Sequence, residues 1–174
     1  MKIQEIVWLM PLLFILHDME EIIFAVAWKK KEPRMKRYIN TKFTPFGTAK
    51  DTPGFALAVY EELLVLCISS LIGVLCGRYE LWLGLLGANI IHIVWLHVIL
   101  MPIMYHSYVP GVVTAVLSLP ACVWMFIKAI QIQEYSWMQI IVYVLLGVFV
   151  SFANLKILHK RIATFGTWIQ KRFE

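Results

Sequence analysis

The stretch IVWLMPLLFILHDMEEIIFAVAW, residues 6–28, decides how the whole chain is read. As a helix rising about 1.5 Å per residue it is long enough to cross a hydrocarbon layer of about 30 Å. Its middle nevertheless carries His17, Asp18, Glu20 and Glu21. An ionisable side chain at that depth costs several kcal/mol unless it is paired, neutralised or bound to a metal. Either the segment lies outside the membrane, or it carries a working site.

The composition of the whole chain decides for the membrane: its 174 residues are 60% hydrophobic and 14% aromatic, with a mean hydropathy of +0.74. Ordinary soluble domains are about 45–50% apolar. Apolar runs over residues 3–28, 55–77, 81–104, 110–131 and 137–158 predict five transmembrane helices in one all-α polytopic bundle, a single domain over 1–174. Pro11 should kink the first span by removing a backbone donor. Asp51-Thr52-Pro53 reads as the start of the second, with proline in the first turn. The connection Arg78-Tyr79-Glu80 is so short that the second and third spans must be antiparallel neighbours. The first span is expected to be retained rather than cleaved as a signal, since its acidic residues stand where a signal would be purely apolar.

Basic residues sort the two faces of the bilayer. The first connection and the tail hold Lys29, Lys30, Lys31, Arg34, Lys36, Arg37, Lys42, Lys50, Lys156, Lys160, Arg161, Lys171 and Arg172, against Lys2, Arg78 and Lys128 on the opposite side. By the positive-inside rule the N-terminus lies outside and the C-terminus in the cytoplasm. The net charge of +5 therefore points to anionic lipid headgroups rather than nucleic acid. The tail spaces Ile157, Ile162, Phe165, Trp168, Ile169 and Phe173 among basic residues, the pattern of a C-terminal interfacial helix. Cys67, Cys76 and Cys122 fall in apolar runs and form no CxxC pattern, so neither a disulfide framework nor a thiolate site is expected.

The chemistry-bearing residues recur at matched depth. His17, Glu20 and Glu21 stand at i, i+3 and i+4 and share one helix face. Glu61 and Glu62 lie in the second span, and Asn89, His92 and His97 in the third. Counted from the cytoplasmic ends, Glu21, Glu61 and His97 lie roughly 10 Å deep and His17 and His92 roughly 17 Å deep. Three helices can therefore converge on one polar centre. His97 follows His92 by five residues, about 140° around an α-helix, and joins only from the flank or across a π-bulge.

Imidazole and carboxylate ligands together suit a divalent transition metal, zinc, iron or manganese, rather than calcium or magnesium. The expected ligands are His17, Glu20, Glu21, Glu61 and His92, with Glu62 and His97 as catalytic acid/base groups or further ligands, and Asn89 and Asp18 as supporting hydrogen-bond partners. His106 and His159 are expected at the cytoplasmic interface without a ligand role. Tyr108-Val109-Pro110-Gly111 reads as a turn and helix start that also shapes the cytoplasmic mouth.

The segments HDMEE (17–21), FALAVYEELL (55–64), Asn89 with His92, and YVPGVVTAVLSLP (108–120) together resemble the HXXEE family of small membrane proteins. The resemblance implies the helical architecture and singles out His17, Glu20 and Glu21. It implies no substrate. The leading expectation is a membrane-embedded metalloenzyme, a hydrolase or a di-metal oxidase, acting on a lipid or small apolar substrate. The alternatives are a proton or metal-cation transporter using the same cluster, or a non-catalytic membrane protein. A transporter needs a polar path through the outer half of the spans, where little beyond Ser69, Ser70 and Ser118 is polar.

Overall fold

The structure, a computed structural model, describes residues 2–34, 37, 46 and 51–173. The expected basic residues Lys36, Lys42 and Lys50 lie outside the described residues, as do the side chains of His159, Lys160, Arg161, Ile162 and Phe173. The described chain is helical throughout: α1 (Ile3–Ile6), α2 (Leu9–Lys31), α3 (Thr52–Cys76), α4 (Glu80–His92), a π-helical segment (Ile93–Leu100), α5 (Met101–Tyr105), α6 (Val112–Gln133) and α7 (Trp137–Phe173).

Among the described residues, four helices are long and apolar enough to cross a membrane: Thr52–Cys76, Glu80–Tyr105, Val112–Gln133 and Trp137–Leu158. The second of these joins α4, the π segment and α5. α2 has comparable length, 23 residues, but is interrupted by Asp18, Glu20 and Glu21. The tail does not begin a separate interfacial element. It continues the last span as one 37-residue helix, about 55 Å long.

The proline in the first helix acts one turn before its own position. Pro11 cannot donate to the carbonyl of Val7, and the helix breaks at Val7–Trp8. That carbonyl accepts instead from Ser70 Oγ at 3.0 Å and from the Trp82 indole at 3.1 Å. A lost helical bond thus becomes a tie from the first helix to α3 and α4. Asp51 caps α3, its carboxylate accepting from the Gly54 N–H at 2.7 Å, and Gly77 closes that helix with φ 67°. Both are ordinary helix-end chemistry.

α4 is the central helix. Every residue from Trp82 to Ala88 is buried, and α4 packs against α3, α6 and α7. Its small residues allow close backbone approach to α7. A Cβ on Gly84 would lie 2.2 Å from the Tyr143 carbonyl oxygen, and one on Gly147 would lie 2.0 Å from that of Gly84. Helices in lipid gain little from apolar burial against one another, so such backbone proximity is a main source of association.

Replacing Gly84 by alanine should therefore destabilise the bundle by about 1–3 kcal/mol through a clash with backbone. Gly73→Ala should cost less, because its new methyl would meet the ring of Tyr79 at 2.7 Å, a side chain rather than the backbone of a facing helix. Thermal unfolding of both variants in detergent checks the order, and equal shifts would contradict it.

Candidate metal centre

The two glutamates of the HDMEE segment do different work. Glu20 reaches from α2 to the start of α6, where it accepts from the Thr114 N–H at 2.8 Å, the Thr114 hydroxyl at 2.6 Å and the Tyr108 hydroxyl at 2.6 Å. Thr114 is the third residue of α6, and the capping position, Gly111, has no side chain to offer. Glu20 therefore supplies from another helix the acceptor that a helix N-terminus needs. Burial and the bond to Glu20 raise the Tyr108 phenol above its ordinary value, so its proton stays with the donor.

This arrangement also orients His17. The Thr114 hydroxyl has one proton, directed at an acceptor-only carboxylate, so toward His17 Nδ1, 3.1 Å away, its oxygen acts as acceptor. The proton of the neutral ring then sits on Nδ1. Nε2 keeps its lone pair, is buried, and has no hydrogen-bond partner. A histidine held at one nitrogen with the other free is the arrangement of a metal ligand.

Glu21, one residue further on, points to the histidines. Its Oε1 lies 3.3 Å from His97 Nε2 and 3.8 Å from His17 Nε2, and it makes no hydrogen bond. The π segment brings His97 into this group. Its i→i+5 bonding, seen in the bond from the Met101 N–H to the Leu96 carbonyl, brings residues five apart onto one face. His92 and His97 accordingly approach to 3.1 Å between their Nε2 atoms. Pro102, unable to donate to Val98, ends the segment and favours the shifted register. The rings of His17 and His97 meet edge to face at 4.6 Å between centroids.

Gly111 completes the wall. With φ 90°, its missing side chain leaves room for Glu21 and His97; a Cβ would lie 2.5 Å from Glu21 Oε1 and 2.9 Å from His97 Nδ1. No residue with a side chain fits there without displacing the site.

The other residues singled out by the sequence distribute as follows. Asp18, Glu62 and Asn89 line a cavity of about 500 Å³ together with His17, Glu21, His92 and His97. Asp18 is buried, with Oδ2 unpartnered. Glu61 turns away and accepts from Asn154 Nδ2 of α7 at 2.8 Å. His106 ends α5 at φ 48° and is exposed. Thr114 was not legible as part of the site, because its role depends on α6 starting against α2. Tyr108 and Gly111 were legible only as shaping a mouth.

His17, His92 and His97 form a cluster able to coordinate a metal ion, one ligand nitrogen from each lying within 4.8 Å of the others. Two imidazole nitrogens, each about 2.0–2.1 Å from a tetrahedral ion, stand roughly 3.4 Å apart, close to the separation of His92 and His97. The unpartnered buried atoms His17 Nε2 and Glu21 Oε1 are what such an ion would satisfy, with His97 facing it through Nε2.

A search of curated proteins and a search of solved structures found no match. A family profile described as "Protein of unknown function with HXXEE motif" matches residues 8–125, from the start of the first long helix into α6. That span contains His17, Glu20, Glu21, His92, His97, Tyr108, Gly111 and Thr114, and with them the whole histidine and glutamate cluster. The chain belongs to the HXXEE family.

Proposed function

We propose that the protein is a membrane-embedded metal-dependent enzyme acting on a lipid or small apolar substrate. The observation that carries this reading is the convergence of three histidines from two helices with unpartnered atoms on His17 and Glu21. In it His17, His92 and His97 hold a divalent transition metal and Glu21 completes the set, while Glu20 orients His17 through Thr114. A bound ion of this kind supplies an activated water or polarises a carbonyl. Three nitrogens around one point favour one ion, and so hydrolysis over two-metal oxygen chemistry. Asp18 and Glu62, on the cavity wall, are the groups placed to take up and return protons at the reacting centre.

The fold is read as five spans, with α2 crossing as the fifth, the N-terminus outside and the C-terminus in the cytoplasm. The carboxyl groups of α2 do not argue against crossing, because they face the bundle interior and are buried. The transport alternative is less well supported. Ser69, Ser70 and Ser118 each donate to a backbone carbonyl and are buried, so they line no path across the outer half.

Elemental analysis of purified protein should find about one transition metal per chain. His17→Ala and His97→Ala should lose it, and Glu61→Ala, whose native partner is Asn154, should retain it. A wild type that takes up no metal on reconstitution, or retention in both histidine variants, would sink the reading. Thr114→Val should weaken metal affinity by about 10–100-fold, with recovery in Thr114→Ser. Competition with a chromophoric chelator measures this, and unchanged affinity in Thr114→Val would remove the orienting role assigned to Glu20 and Thr114. Cysteines placed near Lys2 and Lys171 test the orientation: an impermeant thiol reagent should label the first and not the second in intact cells.

A further inference from the structure

The cavity that holds the metal centre has an amphipathic lining. Its polar lining is formed by the histidines with Asp18, Glu21 and Glu62. Its apolar lining includes Phe55, Ala58, Val65 and Leu66 of α3 and Val148, Phe152, Leu155 and Leu158 of α7. A volume of about 500 Å³ lies in the usual range for a site that encloses a small molecule, about 300–1,000 Å³.

The rim of this cavity says where its occupant comes from. Trp95 of the π segment and Phe152 of α7 both line it, and both are largely exposed, at 60% and 71%. Ile91, also on the lining, is exposed as well. Phe152 lies about 9 Å along the helix from Leu158, within the apolar span Trp137–Leu158. Large apolar side chains at that depth face hydrocarbon, not water. His92, the exposed member of the histidine cluster, lies on the same side as Ile91 and Trp95. The mouth therefore opens sideways into the bilayer.

Charge says what its head can be. Among the described residues, those that line the cavity include three carboxyl side chains and no lysine or arginine. Phosphate and carboxylate heads are recognised by arginine or lysine forks and point charges; here the two positive charges of a divalent ion would already be offset by the carboxylates of Asp18, Glu21 and Glu62, leaving no net positive charge for an anionic head. Hydrogen-bonding groups for an uncharged head are present in Asn89, Ser151 and Asn154.

We infer that the cavity takes a membrane-resident lipid with an uncharged polar head, such as a long-chain alcohol, ester or amide. It enters laterally between Trp95 and Phe152, its head reaching the histidine centre and its chain lying against α7. This deepens the metal-enzyme reading and rests on it for what happens to the head.

The test is photolabelling of the full chain in vesicles of phosphatidylethanolamine and phosphatidylglycerol with a diazirine-bearing long-chain alcohol. Cross-links should map to the π segment and to residues 148–158. Unlabelled alcohol of the same chain length should compete at least 10-fold better than the matching carboxylic acid or alkyl phosphate. Ala58→Trp and Ser151→Trp, which fill the cavity from opposite helices, should each cut labelling at least 10-fold while metal content stays at the wild-type level. Equal competition by the acid or the phosphate in the wild type, cross-links outside the cavity, or labelling unmoved by both folded variants would overturn the inference. Metal content measured on the same samples separates the two readings. Metal-loaded protein that is not labelled removes the lipid site alone, and metal-free protein labelled with the same preference removes the metal centre alone.

Discussion

A carboxylate buried between two helices and satisfied by three donors is the interaction on which the rest of the structure depends. Glu20 is held by Thr114 twice and by Tyr108 once. Left unpaired in hydrocarbon, that group would cost several kcal/mol; paired, it joins α2 to the start of α6 and stands where the helix dipole favours a negative charge. One of these bonds, from the Thr114 hydroxyl, also decides which nitrogen of His17 bears the proton. Helix association and the readiness of a ligand are thus set by one contact.

Around this contact the site is built from departures from regular helix. Pro11 releases the Val7 carbonyl to Ser70 and Trp82, tying α2 to the α3 and α4 that carry the other site residues. The π segment turns two histidines five residues apart into neighbours. Gly111 admits the start of α6 against Glu21 and His97 with a backbone conformation that disfavours other residues. Each irregularity falls where polar groups must meet, as expected where backbone bonding is tolerated only inside protein or along a cavity. The regular parts, above all the Gly84 and Gly147 contact, provide the rigid frame that holds them.

The same frame accounts for the shape of the cavity. α4 and α7 touch most closely at their glycines and both continue into its lining, the first with Asn89 and His92 and the second with Val148 to Leu158. One wall therefore carries polar groups and the other is mostly apolar. A ligand that matched both would have to be amphipathic.

The helical class and the membrane setting were legible from composition and run length alone, because a segment of about 20 apolar residues has few other stable fates. The spacing of His17, Glu20 and Glu21 placed all three on one face, and equal depth brought His92 to the same level, since helical rise is uniform. Spacing could not tell Glu20 from Glu21, or Glu61 from Glu62. Adjacent residues differ by about 100° of rotation, and only the packed neighbours show that Glu20 faces Thr114, that Glu21 faces the histidines, and that Glu61 turns to Asn154 while Glu62 lines the cavity. His97 joined through a change of helical register, which the sequence admitted but did not require. What the sequence determined by itself was which groups lie at which depth, a consequence of local backbone geometry. Which of them meet was decided by tertiary structure, because it depends on helix rotation and on contacts made by residues far apart in the chain.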